Sequence, residues 1–147
     1  MMEGTDELIR RARDVRRHAH APYSGFRVGA ALMASDGSIH VGCNVENASY
    51  GLTLCAERNA LGAAVSGGHR QFRALALSAE SGSPAPPCGA CRQALAEFSR
   101  VLPVISESPG GVAKWTLEAL LPEPFVDVST APHGKKGGGP SGGPAIS

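Results

Sequence analysis

Apolar positions recur along this chain in short runs whose period changes, and each change marks a structural element. After Thr5, Leu8, Ala12 and Val15 repeat at helical spacing while Arg10, Arg13 and Arg17 fall elsewhere around the turn. That pattern predicts an amphipathic helix capped by Thr5. Asp6, Glu7 and Asp14 are interleaved with the five arginines of this segment, which reads as a solvated face rather than a basic patch. Ala21-Pro22-Tyr23-Ser24-Gly25 breaks the helix. Residues 27–33 and 39–44 read as two strands, and Ser35-Asp36-Gly37-Ser38 between them as a hairpin turn.

A polar loop over 45–53 leads into a helix that begins near Cys55 and ends before Gly67-Gly68. Residues 72–78 form a buried strand, and a second helix starts near Cys88 and runs towards Ser99. Residues 101–106 and 112–115 are further strands, joined through Ser108-Pro109-Gly110-Gly111, and 117–121 is a last helical turn stopped by Pro122. The order α-β-β-α-β-α-β-β-α predicts an α/β sandwich, one sheet covered by helices. The loop from Ser106 to Gly111 is too short for a helical crossover, so the last two strands should run antiparallel.

Composition narrows this further. A chain of 147 residues is long enough for one domain with a real core and too short for two. With 42% hydrophobic and 18% charged residues it should fold on its own. A net charge of +1 supplies no field for gripping nucleic acid or a membrane. No apolar run approaches the ~20 residues of a spanning helix, and the charged N-terminus lacks the apolar stretch of a secretory signal. The expected location is therefore the cytoplasm. Much of the glycine and proline lies at one end, where residues 134–144 carry no apolar side chain. Residues 129–147 read as a flexible tail behind a folded domain over 1–128.

Four cysteines, Cys43, Cys55, Cys88 and Cys91, sit in a chain without an export signal, where ligands or free thiols are favoured over disulfides. Cys88-Gly89-Ala90-Cys91 alone admits a redox dithiol, half a structural zinc site, or coincidence. Cys55 at the start of another helix changes the balance, because two intervening residues let both thiolates of the pair meet one ion from a single turn. Structural zinc sites are closed by four protein ligands; catalytic ones keep three and leave a place for water. A fourth ligand would have to come from Cys43, His18, His20, His40, His69 or His133. None of the histidines has ligand spacing, and Cys43 beside Gly42 reads as a small buried side chain. The spacing favours catalytic zinc. Glu57, two residues past Cys55, is either an ordinary acid in a helix's first turn or the proton carrier of that site. Its neighbours favour the second.

These residues carry a resemblance. Zinc deaminases are known by H-x-E…P-C-x-x-C, and this chain has Cys55-Ala56-Glu57-Arg58 and Pro87-Cys88-Gly89-Ala90-Cys91. With Ala21-Pro22-Tyr23-Ser24, Gly42-Cys43-Asn44-Val45-Glu46-Asn47-Ala48-Ser49-Tyr50 and Leu120-Leu121-Pro122, it closely resembles the short, homotetrameric, three-cysteine cytidine deaminases. The match runs over about residues 8–125 and leaves the tail out. It implies a three-layer sandwich, a mixed five-stranded sheet with helices on both faces. It implies hydrolytic deamination of cytidine and 2′-deoxycytidine in pyrimidine salvage, with one Zn²⁺ per subunit on Cys55, Cys88 and Cys91. By the same resemblance Glu57 shuttles protons, Asn44 and Glu46 hold the ribose hydroxyls, and Phe26 and Ala56 border the base. Ala48 and Tyr50 from one neighbouring subunit and Phe125 from another complete each site. Three thiolates on Zn²⁺ leave a net charge of −1, a poor Lewis acid. Two helix N-termini, and Arg58 donating to thiolate sulfur, would offset it.

Two other readings compete. A deaminase acting on a base within a polymer needs a strand-binding surface, which the charge and an aromatic content of 5% do not supply. Antiparallel final strands also fit, by resemblance, the free-nucleoside enzymes rather than the tRNA-editing group. A deaminase of a nucleoside-like antibiotic, as for blasticidin, shares the zinc motif, but the Asn44 to Tyr50 run resembles the cytidine enzymes. From another class, a non-enzymatic zinc module would bind metal and have no use for Glu57.

Overall fold

The computed structural model describes residues 3–127, so the glycine-rich segment 129–147 lies outside the described residues. The chain begins with α1 (Glu3–Arg16), followed by the hairpin β1 (Val28–Ala34) and β2 (Ile39–Cys43). After a 3₁₀ turn at Tyr50–Leu52 come α2 (Ala56–Ser66), β3 (Phe72–Ala79) and α3 (Gly89–Ala96). The hairpin β4 (Pro103–Ser108) and β5 (Gly111–Thr116) and the single turn α4 (Leu117–Leu120) finish the fold.

The strands form one mixed sheet in the order β2-β1-β3-β4-β5. Only β3 and β4 run parallel, with α3 crossing between them. The final pair is antiparallel, as the short connection requires, with Ser108 opposite Gly111. Alternation along the strands sends side chains to two cores. On one face Leu8 and Ala12 of α1 pack on Ala31, Ala76 and Ile105. On the other, α2, α3 and α4 cover Ala30, Leu32, Leu75, Leu77 and Val104. Helices on both faces give the expected three layers. Among the described residues no helix is long and apolar enough to cross a membrane.

Two glycines set the layer spacing. A Cβ on Gly29 would lie 2.0 Å from the carbonyl oxygen of Ala12, and one on Gly42 would lie 2.4 Å from the amide nitrogen of Ala60. Bare backbone at these points lets α1 and α2 sit directly on the sheet. The Gly42 contact matters for chemistry, because α2 carries Cys55 at its head.

The structure corrects three expectations. The first helix begins at Glu3, so Thr5 lies inside its first turn and is not the cap; Asp6 and Glu7 complement the helix dipole there instead. Arg16 does not belong to a solvated face: it reaches the end of the central strand, donating to Ser78 Oγ at 2.9 Å and the Ala79 carbonyl at 3.1 Å. The helix after Cys88 ends at Ala96, where the Phe98 and Ser99 amides both donate to the Leu95 carbonyl and close the last turn.

Candidate active site

Three sulfurs converge where α2 and α3 begin. Cys55 is the N-cap of α2 and Cys88 the N-cap of α3, both in extended backbone, and Cys91 lies one turn into α3. Arg92 fastens the head of α3, donating to the Pro87 carbonyl at 2.7 Å and the Leu120 carbonyl at 2.9 Å. Cys55 Sγ is 3.8 Å from Cys88 Sγ, which is 3.5 Å from Cys91 Sγ. Tetrahedral ligation at Zn–S distances of about 2.3 Å places sulfurs roughly 3.8 Å apart. The trio therefore fits one Zn²⁺. Among the described residues no other group of three His, Cys, Asp or Glu side chains converges in this way, and Cys43 stands outside it.

The surroundings favour thiolate at Cys55. The Cys91 thiol, Arg58 and Cys88 together hold the Cys55 thiol down at about 5 despite partial burial. Cys91 is pushed up, first by its bond to Cys55 and then by burial, so negative charge gathers on Cys55. Arg58 Nη2 donates to Cys55 Sγ at 3.5 Å, and its Nε is buried with no protein partner, a spare donor beside the sulfurs. Two helix N-termini add positive potential at the same point. Cys43, by contrast, is pushed up by burial alone and reads as an inert thiol.

Beside the sulfurs opens a slot of about 210 Å³. Phe26, Val28, Leu77, Ala79, Ala85 and Pro86 give it apolar walls, and Asn44, Thr53, Ala56 and Glu57 line its mouth and head. Glu57 is 7% exposed, and burial pushes its carboxyl up to about 7. A carboxyl that titrates near neutrality can take and return a proton.

Thr53 also borders a second, polar pocket of about 240 Å³ lined by Tyr23, Ser24, Glu46, Asn47 and Tyr50. Glu46 is held firmly there: one oxygen accepts from the amides of Tyr23 at 2.9 Å and Ser24 at 3.1 Å, the other from the Ser24 hydroxyl. That hydroxyl bond holds the carboxyl below the usual range. Asn44 clamps the start of β1, accepting from the Val28 amide and donating to the Phe26 carbonyl, both at 2.9 Å. One Nδ2 hydrogen and one Oδ1 lone pair are left over for a ligand.

Cys55, Cys88, Glu57, Phe26, Asn44 and Ala56 thus line one slot, Cys91 and Arg58 adjoin its sulfurs, and Glu46 lies in the adjoining pocket. Tyr50 stands at the rim of that pocket, 75% exposed, while the exposed Ala48 lines neither cavity. Phe125 is pinned by its backbone to Gln93, whose amide donates to its carbonyl at 2.9 Å and accepts from its N–H at 3.1 Å. Its ring is 61% exposed. Sequence reading missed Ser24 as a working residue. Its oxygen donates to Glu46 and accepts from the Phe26 amide at 2.9 Å, tying the two pockets together. A serine two residues before Phe26 is a turn signal that could have found it. Gln93 left no such signal.

A three-layer α/β sandwich with three cysteines and a buried glutamate at two helix heads defines the zinc-dependent deaminase class. Comparison with known proteins specifies the family. The sequence model of the cytidine and deoxycytidylate deaminase zinc-binding region matches residues 2–106. The chain is 48% identical to the cytidine deaminase of Sporosarcina psychrophila over 122 residues, 82% of this chain and 90% of that protein. It is 48% identical to that of Halalkalibacterium halodurans over 121 residues, 81% of this chain and 92% of that protein. The crystal structure of cytidine deaminase from Burkholderia pseudomallei superposes with a TM-score of 0.79 at 46% identity, covering 85% of this chain and all of that one. This chain belongs to the cytidine and deoxycytidylate deaminase family.

Proposed function

We infer that this chain is a zinc-dependent cytidine deaminase that hydrolyses cytidine and 2′-deoxycytidine to uridine and 2′-deoxyuridine in pyrimidine salvage. The observation that carries this is the convergence of three sulfurs and the buried Glu57 at the head of an apolar slot sized for a flat base. Cys55, Cys88 and Cys91 would hold Zn²⁺, which would supply a Lewis acid able to make water nucleophilic near neutral pH. Glu57 carries the two protons of the attacking water in turn, the first to ring N3 and the second to the departing amine. The C4–N bond breaks, a C4–O bond forms and ammonia leaves. Arg58 draws charge from the Cys55 sulfur, which would preserve the acidity of a metal held there.

The base lies between Phe26 and the sheet, with Ala56 at its edge, and the sugar occupies the polar pocket, where Asn44 and Glu46 bind its hydroxyls. The enzyme is a homotetramer in the cytoplasm, a reducing compartment that suits three free thiols. Each site takes Ala48 and Tyr50 from one neighbour and Phe125 from another. Tyr50, Leu52, Phe125 and Val126 are all more than half exposed in the single chain, and assembly would cover them. Purified enzyme mixed with cytidine should lose ultraviolet absorbance as it releases one ammonia per uridine and should hold one zinc per chain. Zinc without turnover would leave a binding module instead.

A further inference from the structure

We propose that Ser106 donates or accepts a hydrogen bond at the polar edge of the bound base, making it a substrate-binding residue that the motifs do not contain. This rests on the slot being the nucleoside site. Ser106 follows Val104 on the inward face of β4 and stands opposite Leu77 in the parallel pair, where the core gives way to the slot. Ser106 lines the slot, and its hydroxyl is buried with no hydrogen-bond partner in the protein.

A buried hydroxyl without a partner carries a desolvation cost that alanine would avoid. The fold satisfies such groups elsewhere. Ser78, equally buried one strand away on the other face, takes a bond from Arg16 at 2.9 Å and gives one to Glu107 at 2.8 Å. Ser106 differs in that it lines a cavity and no protein group meets its oxygen. Leu77, Ala79 and Val28 give the slot carbon walls and no polar side chain of the slot reaches this oxygen, so a polar group that meets it would arrive with the ligand. A pyrimidine base fits that demand, being a flat apolar ring with amino, ring-nitrogen and oxo groups along one edge. A hydroxyl can accept from an amino group and, after rotation, donate to the oxo group that replaces it. The same side chain can therefore serve substrate and product.

Steady-state kinetics with cytidine on the zinc-loaded full-length enzyme, together with thermal unfolding, test this. Ser106→Ala and Ser106→Val should raise KM about three- to tenfold, the worth of one neutral hydrogen bond, with kcat within about twofold. Ser106→Thr, which has the shape of valine but keeps the hydroxyl, should stay near the wild-type KM. Without its ligand, Ser106→Ala should melt no lower than wild type, because no protein bond is lost. An unchanged KM in Ser106→Ala, or a rise that Ser106→Thr shares with Ser106→Val, overturns the proposal. A lowered melting point in Ser106→Ala with unaltered KM assigns the hydroxyl to structure and overturns it too. Wild-type enzyme that does not turn over cytidine would instead overturn the functional reading on which this rests.

Discussion

Cys43 and Cys88 are chemically alike and differ only in what surrounds them. Cys88 heads a helix with two sulfurs within reach, whereas Cys43 ends β2 outside the cluster. Removing one of three thiolates leaves too few ligands for a stable tetrahedral site, so Cys88→Ala should lose zinc and activity together. Cys43→Ser should keep its zinc. Metal analysis of both purified variants checks the pair, and a zinc-free Cys43→Ser protein would contradict the assignment. Glu57→Gln preserves size and hydrogen bonding but cannot carry a proton. It should fold, retain zinc and lose on the order of 10²-fold or more in kcat. Near-normal turnover would remove Glu57 from the mechanism.

Elements are held in place by polar ties as well as by packing. Arg13 of α1 donates through Nε and Nη2 to the two carboxylate oxygens of Glu107 on β4, both at 2.8 Å, and Ser78 of β3 joins them. The Arg13 hydrogen bond, with Ser78 and charge attraction, holds the Glu107 carboxyl below its ordinary value. A carboxyl depressed in the folded state stabilises the fold above its unfolded pKa, and that contribution fades as pH falls through the folded value. Glu107→Gln should therefore cost about 1 kcal/mol near pH 7, Arg13 being half exposed to solvent. The difference from wild type should shrink in acid, below the ordinary glutamate range. Denaturant unfolding of both proteins at several pH values measures it. A difference independent of pH would mean that charge is not the source.

At the scale of the molecule, a single chain leaves Tyr50 and Phe125 exposed beside or beyond its own pockets. The Gln93 clamp holds the backbone at Phe125 but gives the ring nothing to cover it. A small domain also has few walls with which to keep water from a bound nucleoside. The proposed sharing of sites would meet both needs and makes a demand on mixed assemblies. Glu57→Ala and Phe125→Ala chains should each be impaired alone. Refolded together they should regain part of the activity, because some sites would pair an intact Glu57 with a neighbour's intact Phe125. Sedimentation as a monomer, or mixtures no better than their parts, would defeat sharing and leave the zinc chemistry in place.

The sequence alone determined most of the elements and the chemistry at their heads. Period changes marked strands and helices because burial acts on each residue through its neighbours two, three or four positions away. Cys55 and the Cys88–Cys91 pair were legible because zinc ligation demands particular side chains at particular spacings. The start of the first helix was not, since Thr5 fits a cap and the interior of a turn alike. Only tertiary structure decided what depends on long-range neighbours. It turned Arg16 from solvent to Ser78, joined Glu46 to Phe26 through Ser24, and left the buried Ser106 hydroxyl without a partner on a strand that lines a cavity. Whether a polar atom finds a partner depends on residues dozens of positions away, and no local pattern carries that information.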